Sequence, residues 1–332
     1  MNTILAKVKA EKPEDDVIKQ GAEILRQGGL VAFPTETVYG LGADALNPEA
    51  VAKVYKVKGR PSDNPLIWHA NELEAFESLL DFSVGDHASP IVASMAKKLA
   101  GAFWPGPLTM VLSSKHGQAG TIAIRVPSHP IARALIAESG CFIAAPSANI
   151  SGRPSPTKAK HVMADLAGAI EMLIDGGPTN KGLESTVIDL HTGIPTLLRP
   201  GAVTVEMIQE VISELGELVY AAESEKEDTA PLSPGMKYRH YAPNARLVLL
   251  IGTAEAVSAK IAAFTQGKAE KIGIFRTHED TAQYVAQSLF DRLRQFDEEA
   301  VSLILAEGIE EKGIGLAVMN RLKKAAAEVI YL

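Results

Sequence analysis

Lys58 and Arg60 stand on either side of a single glycine in KGRPSDNPL, with the Asn64-Pro65 pair close behind. Such cations suit a phosphate, yet the chain has no G-x-x-x-x-G-K-[ST] sequence to supply a backbone cradle. Cations in the last turn of a helix also complement its dipole and unpaired carbonyls, so the pair admits a purely local explanation. Other polar groups occupy comparable places. PSANISG offers Ser147, Asn149 and Ser151 directly after an apolar run. Strand ends are where α/β sheets place ligands, although a plain Ser/Asn turn would read the same way. LRPGA sets Arg199 after another strand, and TIAIRVP sets Arg125 inside one. A half-buried strand arginine needs an anionic partner or good hydrogen bonds. ESTVIDL brings Ser185 and Thr186 to a strand start, and PTETVYG brings Thr35, Glu36, Thr37 and Tyr39 between a strand and glycines. His69 ends the strand-like LIWHA, where a structural role is the default.

Several chemistries are disfavoured. The eight histidines are dispersed, with no H-x-x-x-H or Cys/His cluster to cage a metal. No G-x-S-x-G elbow surrounds Ser147, so a hydrolase triad is unsupported. The one cysteine, Cys141, lies in apolar GCFIAAPSAN and reads as a small buried hydrophobe; a lone cysteine forms no intrachain disulfide, which suits a reducing compartment. The net charge of −7 argues against gripping a nucleic-acid backbone as the main task, while leaving room for a local basic pocket. What remains is cations with small hydroxyl and amide groups at strand ends. That set suits electrostatic capture and alignment of a phosphorylated ligand better than covalent catalysis.

The elements that must position these groups follow from periodicity. Val17 to Gln27 reads as a helix stopped by Gly28-Gly29, and Pro48 to Lys58 as a second, with proline near its start and Gly59 after its last turn. Ile91 to Phe103 is helical, then strands LTMVLSS and TIAIRVP, helix IARALIAESG and strand CFIAAPS. A helix near Ala159 to Leu166 precedes the strands MLIDGG, ESTVIDL and PTLLRPG. Several connections are too short for crossover helices, which predicts a mixed α/β sheet over residues 1–215. Residues 216–243 form a linker whose charged part, AESEKEDTAP, gives way to SPGMKYRHYAP, where Tyr238, His240 and Tyr241 alternate with Lys237 and Arg239. That mixture predicts a lid. Residues 244–332 alternate apolar strands with amphipathic helices and predict a smaller parallel α/β domain, Rossmann-like in character. GIGLAVMNRL has two glycines before a helix but lacks the full dinucleotide fingerprint, so structural glycine is the better reading there. The N-terminus lacks a signal-peptide core and no apolar run approaches the roughly eighteen residues of a membrane span, which predicts a cytoplasmic protein without a membrane role.

Taken in order, PTETVYGLGADA, the Lys58/Arg60 pair, NPLIWHA, WPGPLT, IAIRVP, APSAN, STVIDL, LRPG and SPGMKYRHYAP resemble the YrdC/Sua-type threonylcarbamoyl-adenylate synthases in their long, two-domain form. The likeness covers residues of roughly 10 to 215 and the linker; residues beyond match in position and βαβ character. It implies a twisted N-terminal sheet with a deep, positively lined cavity. The implied reaction turns L-threonine, bicarbonate and ATP into threonylcarbamoyl-AMP and pyrophosphate, the first step of tRNA threonylcarbamoyladenosine formation. Carried over by position, Lys58, Arg60, Ser147 and Asn149 are catalytic and line the nucleotide and phosphate region, with Asn64, Thr121, Ser155, Arg199 and Tyr238 as further ATP contacts and Tyr241 second to Tyr238. Thr35, Thr37, His69, Arg125 and Ser185 form the threonine pocket, with Arg125 facing the amino-acid carboxylate. Magnesium would accompany ATP, and the product would pass to a tRNA threonylcarbamoyl transferase, with tRNA contact weak or indirect. Two other readings stay open: an RNA-binding module without chemistry, and a carbamoyl transferase with another acceptor.

Overall fold

The computed structural model describes residues 2–80, 90–116, 120–220, 240–266 and 271–332. Among these, eleven strands join in one sheet: β1 (Ile4–Lys7), β2 (Val31–Pro34), β3 (Tyr39–Asp44), β4 (Ile67–His69), β5 (Leu108–Ser113), β6 (Thr121–Arg125), β7 (Ile143–Ala144), β8 (Met172–Asp175), β9 (Thr186–Asp189), β10 (Thr196–Arg199) and β11 (Val219–Tyr220). Their spatial order is β1-β8-β2-β3-β7-β4-β6-β5-β9-β10-β11. Tight connections give antiparallel pairs at β2/β3, β5/β6 and β9/β10, while β1/β8, β4/β6 and β5/β9 are parallel. The sheet is mixed, as the short connections require.

Helices cover it according to their apolar faces. Helix α1 (Asp15–Arg26) buries Ile18, Ala22 and Leu25, and these share a core with residues of β2, β8 and a later helix (Pro130–Ser139). Helix α2 (Pro48–Lys58) is started by Asn47, whose Oδ1 accepts from the Glu49 and Ala50 amides, and is stopped by Gly59 in the left-handed region. Its Ala50 and Val54 anchor a second core, so its axis, and Lys58 at its end, are fixed by packing.

Four strands of this sheet differ from the sequence reading: β1 and β11 lie outside the strands it assigned, β11 within the stretch read as linker, and β3 and β7 differ in extent. Tyr39–Asp44, read as glycines after a polar loop, forms β3. The glycines there serve close packing: a Cβ on Gly42 would lie 2.7 Å from Phe33 and 2.8 Å from Ile143. The run CFIAAPS shrinks to the two residues of β7, because the chain then follows β3 through other bonds. Leu41 N donates to Pro146 O and Ala148 N to Tyr39 O, both at 2.8 Å, and Gly40 bridges Ser147.

A second sheet is formed by β12 (Arg246–Ile251), β13 (Ile272–Phe275), β14 (Leu303–Glu307) and β15 (Glu328–Tyr331), all parallel in the order β13-β14-β12-β15. The helices Ala282–Glu298 and Ile314–Ala325 pack on one face, and their shared core also takes in Val38 and Leu183 from the first sheet's loops, and Tyr241. Gly182, at φ +75°, lets the loop approach the Ala282–Glu298 helix closely: a Cβ there would lie 2.5 Å from the main chain of Ala286 and Gln287. Among the described residues no helix is long and apolar enough to cross a membrane.

Candidate active site

Helix α2 ends with Lys58 turned away from its own last carbonyls. The ammonium instead donates to Ser147 O and Asn149 O, each at 2.5 Å, in the loop that follows β7, and Ser151 N returns a bond to Lys58 O at 2.8 Å. The local helix-cap explanation therefore accounts for the turn at Gly59 but not for the lysine. Burial, then the neighbouring Arg60 charge, holds the Lys58 ammonium well below its usual range. Arg60 grips its own turn, through Nε to Asn64 O at 3.1 Å and Nη2 to Pro65 O at 3.0 Å, and burial lowers it to about 10. In the same loop, Asn149 Nδ2 donates to Ile150 O and Arg153 O, while its Oδ1 is buried without a partner among the described residues. A buried acceptor left open in a cavity wall is a vacancy for an N–H or O–H donor.

The opposite wall comes from β2, β4 and β6. Thr35 closes a turn by accepting from the Thr37 and Val38 amides, which aims the Thr37 hydroxyl at Arg125 Nη2, 3.1 Å away. The same nitrogen donates to Glu36 Oε1 at 2.7 Å, both side chains being buried. Burial alone would raise the Glu36 carboxyl, but Arg125 and the backbone amides outweigh it and hold it below the usual carboxylate range. Thus Arg125 already has an anionic partner within the chain, which the sequence reading did not assign to it. His69 lies beside it; burial and then the Arg125 charge lower it to about 3, so the ring is neutral near pH 7. Its Nδ1 is 3.2 Å from Ile143 O, a carbonyl that only accepts, so Nδ1 carries the hydrogen.

A third wall joins β9 and β10. Arg199 donates from Nε to Ser185 O and from Nη2 to Ser185 Oγ, and the Ser185 and Thr109 hydroxyls are 2.7 Å apart. Glu184, beside Ser185, accepts a very short bond from Ser155 Oγ. At the margin, the linker's end brings in His240 and Tyr241. Tyr241 occupies the left-handed region at φ 66°, rare for a bulky residue, held there by burial and by a tilted ring contact with Phe290, centroids 5.3 Å apart.

One cavity gathers eleven of the site residues carried over by resemblance, Thr35, Thr37, Lys58, Arg60, His69, Arg125, Ser147, Asn149, Ser155, Ser185 and Arg199, together with Ser151, His240 and Tyr241. Asn64 and Thr121 are not among its described lining. Asn64 acts on the site through its carbonyl, as an anchor for Arg60, and Thr121 begins β6 opposite Ser113. Tyr238, with Lys237 and Arg239, lies outside the described residues. Glu184 and Arg153 line the cavity and were missed. Glu184 stood in ESTVIDL as a charge before an apolar strand, but its partners come from distant segments. With five cations (Lys58, Arg60, Arg125, Arg153, Arg199) and one carboxylate among its described lining, the cavity attracts anions.

Residues 23–201 match the Sua5/YciO/YrdC family, described as "Telomere recombination", and residues 203–327 match the family described as "Threonylcarbamoyl-AMP synthase, C-terminal domain". The chain belongs to the Sua5/YrdC family of threonylcarbamoyl-AMP synthases. Within it, the chain is 46% identical to the threonylcarbamoyl-AMP synthase of Bacillus subtilis, covering 94% of this chain and 93% of that one. It is also 46% identical to the Pyrococcus abyssi enzyme of the same name over 98% of both. The crystal structure of P. abyssi Sua5 complexed with L-threonine superposes with a TM-score of 0.90 at 45% identity, over 99% of this chain and all of that one. A double-alanine variant of the same Sua5 gives a TM-score of 0.89 over 99% of both chains. Both sheets therefore belong to the Sua5 architecture.

Proposed function

We propose that the cavity makes threonylcarbamoyl-AMP from L-threonine, bicarbonate and ATP, releasing pyrophosphate. The observation that carries this is the pairing, in one cavity, of a carbonyl-held cation pair with a wall of hydroxyls around an internally compensated arginine. Threonine's amine condenses with bicarbonate to a carbamate with loss of water. A carbamate oxygen then bonds to the α-phosphorus as the bond to the β-phosphate oxygen breaks. Both partners are anionic, so the task is to offset repulsion and hold them in line rather than to supply a nucleophile.

In this reading Lys58 and Arg60 take the triphosphate. Ser147, Ser155 and Arg199 flank it, and the open Asn149 Oδ1 accepts from the nucleoside. Thr35, Thr37, His69, Arg125 and Ser185 receive threonine. The neutral, Nδ1-protonated His69 adds no charge beside the arginine. The catalytic unit, expected over residues 1–215, extends to β11 at Tyr220, the linker follows to residue 243, and residues 244–332 form the second domain. The described residues include no group of three acids, histidines or cysteines placed to hold a metal. Magnesium is expected to arrive with ATP as part of the substrate. The product is a mixed anhydride and needs a consumer that transfers the threonylcarbamoyl group, in this reading a tRNA threonylcarbamoyl transferase acting in the cytoplasm.

Pyrophosphate release measured with ATP, bicarbonate and each amino acid in turn tests the reading. Release that depends on threonine is expected. Release without an amino acid, or equal release with any amine, would overturn it.

A further inference from the structure

The segment GIGLAVMNRL contributes nothing to the cavity lining, yet it ends in a buried arginine that reaches the loops behind that lining. Arg321 lies on the Ile314–Ala325 helix of the second sheet and is completely buried. Its Nε donates to Glu184 Oε2 at 3.1 Å, and its Nη1 donates to Pro200 O at 2.6 Å. Its guanidinium also stands 5.7 Å from the Tyr241 ring centroid. Nη2 is buried without a partner among the described residues, an uncompensated cost that the bonds to Glu184 and Pro200 must outweigh.

Both partners sit next to site residues. Glu184 lines the cavity, precedes Ser185 and holds Ser155 through its other oxygen, and Pro200 follows Arg199. One side chain from the second sheet thus ties together the two loops that carry Ser185 and Arg199. It also compensates the one carboxylate among the cavity's described lining. Without Arg321, Glu184 would face a bound triphosphate with only the Arg199 charge left to screen it, and Arg199 would be drawn from the nucleotide to do so.

We propose that Arg321 is a positioning residue for the nucleotide: it neutralises and orients Glu184, and through Glu184 and Pro200 it sets Ser155 and Arg199. The second domain is therefore part of the ATP site, not an appendage to it. This rests on the proposed adenylate-forming reaction.

The test uses the full chain with Arg321→Met, measuring pyrophosphate release against ATP at saturating threonine and against threonine at saturating ATP. The KM for ATP is expected to rise about tenfold or more, since a buried carboxylate loses its cation, while the KM for threonine moves less than about threefold. Adding Glu184→Gln to Arg321→Met should recover at least about threefold of the lost ATP affinity, because it removes the stranded charge. General misfolding would give no such rescue. An unchanged KM for ATP, or equal loss for both substrates without rescue, would overturn the proposal. Should Arg321→Met fail to fold, Arg321→Lys keeps the charge but not the two-loop grip. An ATP KM between about threefold and tenfold above the parent then supports the proposal, and a parental value refutes it. If the parent chain itself shows no threonine-dependent release, the reaction is wrong rather than the role of Arg321.

Discussion

Arg125 meets a carboxylate of its own chain, whereas Lys58 and Arg60 give their hydrogen bonds to main-chain carbonyls. The difference bears on what each corner of the cavity can do. A carbonyl orients a cation without cancelling its charge, so burial and mutual repulsion weigh on Lys58 and Arg60 until an anion compensates them. In the proposed reading, that anion is the triphosphate. Arg125 is already compensated by Glu36; it adds directed N–H groups at little net charge, enough to orient a single carboxylate. In the proposed reading, a highly charged ligand and a singly charged one are sorted by how the protein has satisfied its own cations.

The sharpest way to break this comparison is Glu36→Ala. It strands a buried arginine and should lower stability by about 3–5 kcal/mol, measured by denaturant unfolding. A loss under about 1 kcal/mol would mean that the pair is not what balances Arg125. Next comes Arg60→Ala, which should lower threonine-dependent pyrophosphate release by about 10²–10³-fold with the far-ultraviolet spectrum unchanged. Normal turnover by the folded variant would remove Arg60 from the reaction.

A smaller effect concerns His69, held near 3 against an ordinary value of 6.5. Between those values the unfolded chain binds the proton and the folded one does not, so stability rises with pH across this window and falls on acidification. His69 should contribute up to about 1.4 kcal/mol per pH unit there, and His69→Gln should flatten the slope measured between pH 6.5 and 4.5. An unaltered slope would show that His69 is not kept neutral. The smallest change is Asn47→Ala, costing about 1 kcal/mol through the lost cap of the helix that carries Lys58. A calorimetric melt would detect it, and no loss would mean that packing alone sets that helix.

Lys58, Arg60, Arg125 and Arg199 were legible because each lies in or just after a recognisable strand or helix, where a chain places polar groups only at a cost or for a use, whereas Arg153 sits in a loop and was missed. The mixed sheet was legible from its short connections, and the parallel one from its alternation of apolar strands with helices. What escaped depended on distant partners. Nothing around Glu184 announces Arg321, 137 residues further on, and nothing around Arg125 singles out Glu36 rather than a ligand. Strand β3 escaped because its glycines, which normally weaken a strand, are there to admit Phe33 and Ile143. Lys58 was assigned to phosphate alone, but the same ammonium also fastens the Ser147–Asn149 loop, an interaction set by the fold.

The core beneath the second sheet is completed by Val38, Leu183 and Tyr241, and two of these, Val38 and Tyr241, also face the cavity. Hydrophobic burial and ligand contact therefore draw on the same side chains. The two sheets should then melt in one cooperative transition, and a nucleotide bound in the first should protect backbone amides in the second from hydrogen exchange, although it touches none of them.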